Sequence, residues 1–170
     1  MTRLLFLIIL FSCFSVMAEN VYQSPEKFVQ QSYDGNAPKP KTLWLNKDQK
    51  LVIADILQHN YNRLRIRYWP QGNTSVWVLE EIGKESPITV GLVVTQQQLK
   101  QIKVLVYRES RGDEVTQEFF TQQFVNAKLT ADNQLDKHID GITGATLSVR
   151  ALSKLARLAL WLDQQLDIKK

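Results

Sequence analysis

The chain has 170 residues, of which 44% are hydrophobic and 22% are charged, with 7 glycines, 5 prolines and one cysteine. This composition excludes a collagenous, low-complexity or wholly disordered chain. One cysteine excludes a disulfide framework and a cysteine-ligated zinc site, and 2 histidines are too few for a histidine-rich metal cluster. The net charge of +4 is too small to indicate nucleic-acid binding, which needs a concentrated basic stripe.

The first residues have the pattern of a secretory signal peptide. Arg3 supplies a positive charge, residues 4–14 form an apolar run, and Val16-Met17-Ala18 fits a cleavage site. The run is shorter than the roughly 20 residues of a relaxed transmembrane helix, so an uncleaved anchor is the poorer alternative. A lipoprotein site at Cys13 is a second alternative, which bulky Phe11 disfavours. We expect cleavage near Ala18 and a periplasmic protein without cysteine, as suits an oxidising compartment.

Residues 19–60 predict short helices separated by a loop. Ser24 and Pro25 form a helix start, with serine as the cap and proline at the first helical position. A loop is expected from Tyr33 to Lys41, which is rich in glycine, asparagine and proline. Asn46 caps a second helix that extends to about His59. The apolar side of this second helix is expected to carry Leu51, Ala54, Ile56 and Leu57.

From Arg63 onward the hydrophobic period changes to two, which is typical of strands. The connections between these strands are too short for crossover helices, so the sequence predicts an antiparallel meander of about four strands. The predicted strands are Leu64–Tyr68, Val76–Ile82, Ile88–Thr95 and Ile102–Tyr107, with turns at Gln71–Thr74, Gly83–Pro87 and Gln96–Lys100. One face of the fourth strand is expected to carry Ile102, Val104 and Val106.

Helical patterns return after the strands. A short helix is predicted from Val115 to Phe124, a polar loop from Ala131 to His138, and a long helix from Leu147 to about Leu166. The long helix should cover one sheet face through a stripe made of Leu152, Leu155, Ala159, Leu162 and Leu166. The fold class is therefore α+β: an antiparallel meander with a long C-terminal helix on one face and short N-terminal helices. Its predicted division is 1–18, the signal peptide; 19–60, a helical segment; and 61–170, the main domain.

The segment that carries chemistry precedes the long helix and reads Asp140-Gly141-Ile142-Thr143-Gly144-Ala145-Thr146-Leu147-Ser148. A helix N-terminus leaves about four N–H groups unpaired and carries roughly half a positive charge. The small residues Gly141, Gly144 and Ala145 let a ligand approach that backbone, and the neighbouring hydroxyls suit a phosphate. Asp140 would repel a phosphate, so it fits a turn or a group that holds a hydroxyl or a metal during a transfer reaction. The alternative is an ordinary helix cap.

The residues from Asp140 to Thr146 resemble the flavinylation motif of FMN-binding domains, which occur in flavin subunits of sodium-pumping quinone oxidoreductases, related membrane redox pumps and small secreted proteins. The resemblance extends over roughly Arg63 to Leu160. Three further blocks carry it: Glu81–Glu85 with Pro87–Gly91, Tyr107–Gly112, and Phe120 with Gln123-Phe124.

The resemblance implies that Thr146 is esterified to the phosphate of FMN by a separate flavin transferase, which uses FAD as donor and Mg²⁺ as cofactor. It implies an electron carrier between a membrane-side donor and a redox acceptor protein, rather than a stand-alone enzyme. The implied cofactor-binding residues are Thr146, Asp140, Gly141, Thr143, Gly144, Ala145, Leu147 and Ser148, with Glu109 and Arg111 as a candidate wall for the flavin ring. No catalytic residue and no metal ligand is predicted.

Two other functions stay open at this point. One is a non-covalent module that holds FMN or another phosphorylated ligand reversibly at the same helix N-terminus. The other is a flavin-dependent reductase with its own substrate.

Arg63, Arg65 and Arg67 share one strand face. We interpret them as a solvated outer face, because exposed faces of antiparallel sheets are polar. The alternative is a docking patch for an acidic redox partner or an anionic lipid.

Overall fold

A computed structural model describes residues 19–166, and the predicted signal peptide lies outside these residues. The described chain forms a single six-stranded sheet with helices on both faces. Its strands are β1 (Asn20–Val21), β2 (Lys41–Trp44), β3 (Arg65–Gln71), β4 (Thr74–Ile82), β5 (Pro87–Thr95) and β6 (Gln98–Tyr107). Its helices are α1 (Pro25–Gln31), α2 (Lys47–Leu57), α3 (Glu118–Thr121) and α4 (Thr146–Gln164), with 3₁₀ turns at Asp113–Thr116 and Gln122–Phe124.

The sheet confirms the predicted α+β class and its antiparallel meander. The strand order is β1-β6-β5-β4-β3-β2, and each neighbouring pair is antiparallel. The expectation of about four strands is wrong, because β1 and β2 add one strand at each edge. Both are short, and β2 begins at Lys41, where a loop was expected to end. Strands this short are formed by pairing with a neighbouring strand, and they are too short to show an alternating hydrophobic pattern in the sequence.

The two N-terminal helices begin where their capping residues predict. Ser24 accepts a hydrogen bond from the N–H of Lys27 at the start of α1. Asn46 and Gln49 form a reciprocal capping box at the start of α2. The apolar side of α2 was predicted incorrectly at Leu51, which is 62% exposed, whereas Ile53 is buried.

The long helix α4 covers one face of the sheet, as predicted. Four residues of its predicted stripe, Leu152, Leu155, Ala159 and Leu162, are buried in the larger hydrophobic core with Trp77 and Leu92 from the strands. The fifth, Leu166, is also buried there but lies just after the end of the helix. The other face is covered mainly by α1, where Phe28 packs in a smaller cluster with Val76 and Leu105. None of the helices within residues 19–166 is both long and apolar enough to cross a membrane.

Strand β6 differs from the prediction in its start and in its faces. It begins at Gln98, because the preceding turn contains only Gln96 and Gln97, which both adopt positive φ without the glycine or asparagine that usually marks such a turn. Thr89 pairs with Val106 and Val90 with Val104, so Leu105 is an extra residue in a β-bulge. The bulge moves Val106 to the α1 face, against the expected Ile102-Val104-Val106 face, and it places Tyr107 on the α4 face.

Two further expectations are corrected. Leu64 lies before β3 and is 63% exposed, so the alternating strand begins one residue later than its pattern suggests. The helix predicted from Val115 to Phe124 is divided into a 3₁₀ turn, the short α3 and a second 3₁₀ turn. Phe120 and Phe124 remain fully buried, so the apolar pattern reports their burial correctly but not a continuous helix.

Candidate functional site

The first turn of α4 is left without a side-chain cap. Its N-cap is Ala145, which has no hydrogen-bond acceptor in its side chain. Gly144, with φ of 86°, turns the chain into the helix, and the N–H of Ala145 donates to the carbonyl of Ile142. Within residues 19–166, no protein acceptor pairs with the N–H groups of Thr146, Leu147 or Ser148. The helix therefore presents unpaired donors and the positive end of its dipole, which together favour an anion.

A cleft of about 470 Å³ lies against this helix start. Its size is within the range of about 300–1,000 Å³ that is usual for small-molecule sites. The cleft is formed by the start of α4, the residues after β6 and the turn between β4 and β5. The residues that line it are Lys84, Glu85, Glu109, Ser110, Arg111, Gly144, Ala145, Thr146, Leu147 and Ser148. Seven of the residues singled out from the sequence thus come together: Thr146, Gly144, Ala145, Leu147, Ser148, Glu109 and Arg111.

Glu109 connects two walls of the cleft, the segment after β6 and the turn between β4 and β5, by hydrogen bonds. Its Oε1 accepts hydrogen bonds from the N–H groups of Lys84, Glu85 and Ser86 at 2.6, 2.7 and 2.9 Å. Partial burial raises the pKa of Glu109, but the three N–H groups and the Lys84 ammonium outweigh it, and the pKa is lowered overall. Glu109 is therefore a charged clamp that fixes the β4–β5 turn. The sequence predicted Glu109 as a site residue, but it did not indicate that its carboxylate binds the β4–β5 turn.

Tyr107 and Gly112 hold the loop after β6 against the start of α4. The hydroxyl of Tyr107 donates to the carbonyl of Arg111 at 2.6 Å and lies 3.0 Å from the hydroxyl of Ser148. Burial raises the pKa of Tyr107, and the hydrogen bond with Ser148 opposes that rise. Gly112 has φ of +84°, and a Cβ there would lie 3.0 Å from both the Cβ of Ala145 and the hydroxyl oxygen of Tyr107. The hydroxyl of Ser148 thus faces the protein interior, where it helps position the cleft.

The first part of the sequence segment, from Asp140 to Thr143, does not line the cleft. Asp140, Gly141 and Thr143 are exposed in the loop before it. The backbone N–H of Asp140 donates to Oε1 of Gln123 at 2.7 Å, which ties this loop to the end of the helical region. The carboxylate of Asp140 is 83% exposed and lies 3.5 Å from Nε2 of His138. It is therefore accessible to a second molecule that approaches Thr146.

The charges in the cleft are mixed. Lys84 and Arg111 are both exposed there, and the ammonium of Lys84 lies 2.8 Å from a carboxylate oxygen of Glu85. This hydrogen bond raises the pKa of Lys84. Since the charged Glu109 already accepts from three N–H groups, the other donors in the cleft are the N–H groups of α4, the guanidinium of Arg111 and the ammonium of Lys84, which is shared with Glu85. Lys84 belongs to a block that carries the resemblance, but it was not among the predicted site residues.

A second polar cluster lies beside the cleft, behind the same β4–β5 hairpin. The carboxylate of Glu81 is buried and lies 2.9 Å from Nε2 of His59 and 3.4 Å from Nζ of Lys154. The hydrogen bond with Glu81 raises the pKa of His59. From the sequence, His59 was an isolated histidine, because its side-chain partner Glu81 is 22 residues away along the chain.

Comparison with known families identifies the segment that contains this cleft. Residues 83–161 match the family model of the FMN-binding domain. Every residue that lines the cleft, from Lys84 to Ser148, lies inside the matched segment. No curated protein and no solved structure gives a significant match to the chain. The family match supports flavin binding, in agreement with the resemblance carried by the residues from Asp140 to Thr146.

The cleft has the features that FMN requires. A phosphate fits the unpaired N–H groups of Thr146 to Ser148, because a helix N-terminus stabilises an anion. Lys84 and Arg111, which also line the cleft, add positive charge. Leu147 is 41% exposed and offers an apolar surface for the flavin ring. The site residues present therefore suit a phosphorylated flavin.

Proposed function

We propose that this protein carries one FMN covalently on Thr146 and acts as an electron carrier outside the cytoplasm. The observation that carries the proposal is the position of Thr146: it is exposed, it is the first residue of an uncapped helix, and it lies in a cleft inside the matched FMN-binding segment. A phosphate bonded to its hydroxyl would remain next to the unpaired N–H groups of the same helix turn.

The proposed attachment is a phosphoryl-transfer reaction that a separate flavin transferase performs with FAD and Mg²⁺. The hydroxyl oxygen of Thr146 attacks the phosphorus of the FMN half of FAD, the bond to the bridging oxygen breaks, and AMP leaves. The proton of the hydroxyl is passed to the transferase. No electron is gained or lost in this step, so FMN arrives with its redox state unchanged.

This chain contributes binding and positioning to the proposed reaction. The N–H groups of α4 stabilise the phosphate, and Gly144 and Ala145 leave that backbone accessible. Asp140 lies six positions before Thr146 with its carboxylate exposed to a docking enzyme. We assign it to holding the threonine hydroxyl or the transferase's Mg²⁺ during transfer. The tether prevents the flavin from diffusing away once the protein has been exported.

The deciding experiment is the intact mass under denaturing conditions, followed by peptide mapping. The protein is exported to the periplasm of a host that co-expresses a flavin transferase, with a second flavoprotein as a positive control. We expect a gain equal to FMN less one water, located on the peptide that contains Thr146. An unmodified mass beside a fully modified control would contradict covalent attachment. Flavin that is released on denaturation would instead identify a reversible FMN-binding module.

Replacement of Asp140 tests its part in attachment. We expect Asp140→Ala to lower the flavinylated fraction at least tenfold at a limiting transferase concentration, with an unchanged melting temperature because the side chain is exposed. Asp140→Asn keeps the shape of the side chain and removes its charge. If both variants are modified at the wild-type rate, Asp140 is only a turn residue.

A further inference from the structure

Pairing between β3 and β4 stops half-way along the two strands. Tyr68 pairs with Trp77 and Gln71 with Thr74, but the residues from Arg65 to Arg67 pair only with β2. Continuing the register would place Arg67 opposite Val78. In the described part of the chain, the peptide groups of β4 that point towards β3 beyond Trp77 therefore have no strand partner on that side. The strands diverge there around an opening of about 470 Å³.

The opening is a groove with an apolar floor and basic walls, and we call it the arginine groove. Ile66, Leu79 and Leu158 are buried side chains that form part of its lining. Arg63, Arg65 and Arg67 are exposed at its rim. The groove shares no lining residue with the cleft at Thr146. Leu158 lies twelve residues after Thr146 in α4, which is about 18 Å at 1.5 Å per residue.

The arginines of the groove are only partly neutralised. Two carboxylates line it, those of Glu80 and Glu26. Glu80 lies 3.3 Å from the guanidinium of Arg63 and accepts a hydrogen bond from Thr89. Glu26 is in the first turn of α1, where the helix dipole favours a negative charge. Among residues 19–166, no carboxylate lies within salt-bridge distance of Arg65 or Arg67.

An exposed tryptophan extends the groove at the edge of the sheet. The guanidinium of Arg65 lies 5.5 Å from the centroid of the Trp44 ring, and Trp44 itself is 64% exposed. Tryptophan and arginine are the side chains most enriched at the energetic centres of protein interfaces. The groove thus combines unpaired strand backbone, unneutralised guanidinium groups and an exposed aromatic ring.

We propose that the arginine groove binds an extended acidic segment of a partner protein. The backbone of such a segment would pair with the free groups of β4, which is the strand-addition mode of peptide recognition. Its alternate side chains would lie on the apolar floor, and its carboxylates would accept from Arg65 and Arg67 in charge-assisted hydrogen bonds. An isolated inorganic anion could pair with the arginines, but it could not form strand hydrogen bonds with β4 or contact the apolar floor.

Three labelled peptides test this proposal by fluorescence anisotropy on the full-length protein at low salt. The first alternates glutamate and valine, the second alternates lysine and valine, and the third is the glutamate peptide with two valines replaced by proline. We expect binding of the first, no binding of the second, and at least tenfold weaker binding of the third, because proline cannot donate to a strand. Amide NMR shifts should occur at Val78–Ile82.

A matched pair of variants separates the groove from the overall charge of the protein. Arg65→Gln with Arg67→Gln should weaken binding of the glutamate peptide at least tenfold. Lys47→Gln with Lys128→Gln removes the same charge at two exposed positions outside the groove and should change binding less than twofold. Equal losses in the two variants would show attraction to net charge and would overturn the proposal.

Two further results would also overturn it: no binding of the glutamate peptide, and equal binding of its proline version. Binding only of phosphatidylglycerol vesicles, lost in the arginine variant, would identify a lipid surface instead.

The peptide assay is repeated on Thr146→Ala protein, where we expect the same affinity. The groove is therefore tested independently of flavin attachment, and either proposal can fail alone.

Discussion

The cleft at Thr146 and the arginine groove are built from different parts of the chain. In the cleft, the principal donors are backbone N–H groups of α4, and side chains such as Glu109 and Tyr107 hold the walls in place. In the groove, the recognition groups are exposed arginines next to strand backbone that lacks a partner. Side-chain replacements should therefore change the groove without disturbing the fold, whereas the cleft should respond mainly to its supporting residues.

The largest expected effect concerns Thr146, the side chain in the cleft to which we propose that FMN is bonded. Thr146→Ala should abolish the covalent mass gain completely, because it removes the oxygen that forms the phosphoester. Stability should change by no more than about 0.5 kcal/mol, as for other exposed positions. Thr42→Ala removes an exposed hydroxyl outside the cleft and is the control. Covalent flavin on Thr146→Ala protein would refute the assignment.

Replacement of Gly112 tests whether the close backbone contact between the loop after β6 and the start of α4 stabilises the protein. Gly112→Ala should destabilise the protein by about 2–4 kcal/mol, from positive-φ strain and from crowding against Ala145 and Tyr107. Gly35→Ala is a matched control, since Gly35 has φ of +85° but nothing within 4 Å of the added Cβ. It should cost about 1 kcal/mol. Urea unfolding gives both values, and equal losses would mean that contact with Ala145 is unimportant.

The Glu109 clamp predicts a dependence on acid pH. Since the pKa of Glu109 is lowered in the folded state, its contribution to stability is present above the unfolded value of 4.5 and is lost as the pH falls through the folded value. At neutral pH, Glu109→Gln should cost about 1–3 kcal/mol, because three N–H groups lose a charged acceptor. Urea unfolding at several pH values should show a smaller acid-linked loss in the variant. An unchanged acid profile would contradict the clamp.

The smallest effect is expected at His59, which pairs with Glu81 of β4. The pKa of His59 is raised by Glu81, so its contribution is complete below the unfolded value of 6.5 and is lost as the pH rises through the folded value. Stability of the wild type should fall slightly across that range, and His59→Gln should flatten the fall. Identical profiles would show that the pair contributes nothing, which is common for pairs as exposed as His59.

Much of the fold was predictable because local rules determine it. The caps at Ser24 and Asn46, the alternation around Ile66 and Tyr68, and the stripe of α4 were all visible in the sequence. The missed features depend on distant partners. The edge strands β1 and β2 exist only through pairing, and the Leu105 bulge follows from register with β5, so neither leaves a periodic signal.

The candidate site shows the same division. The run from Gly144 to Ser148 is local, and it lines the cleft. Glu109 and Arg111 were associated with it by resemblance, and both line the same cleft. The contacts that hold these walls join residues far apart, such as Tyr107 with Ser148 and Glu109 with Lys84. Sequence patterns contained no information about those pairs.

The bulge at Leu105 has a consequence for engineering. It interrupts the alternation of side chains along β6. Before the bulge, even-numbered residues such as Val104 face α4, and after it the odd-numbered Tyr107 does. If Leu105 were paired with Thr89 in a regular ladder, Val106 would take the α4 face, Tyr107 would turn away from α4, and the loop at Gly112 would lose its contact with Ala145. A transplantation of this cleft into another sheet would therefore have to move residues 105–112 together with residues 144–148 as one cassette, with Val106 rather than Leu105 paired to the neighbouring strand.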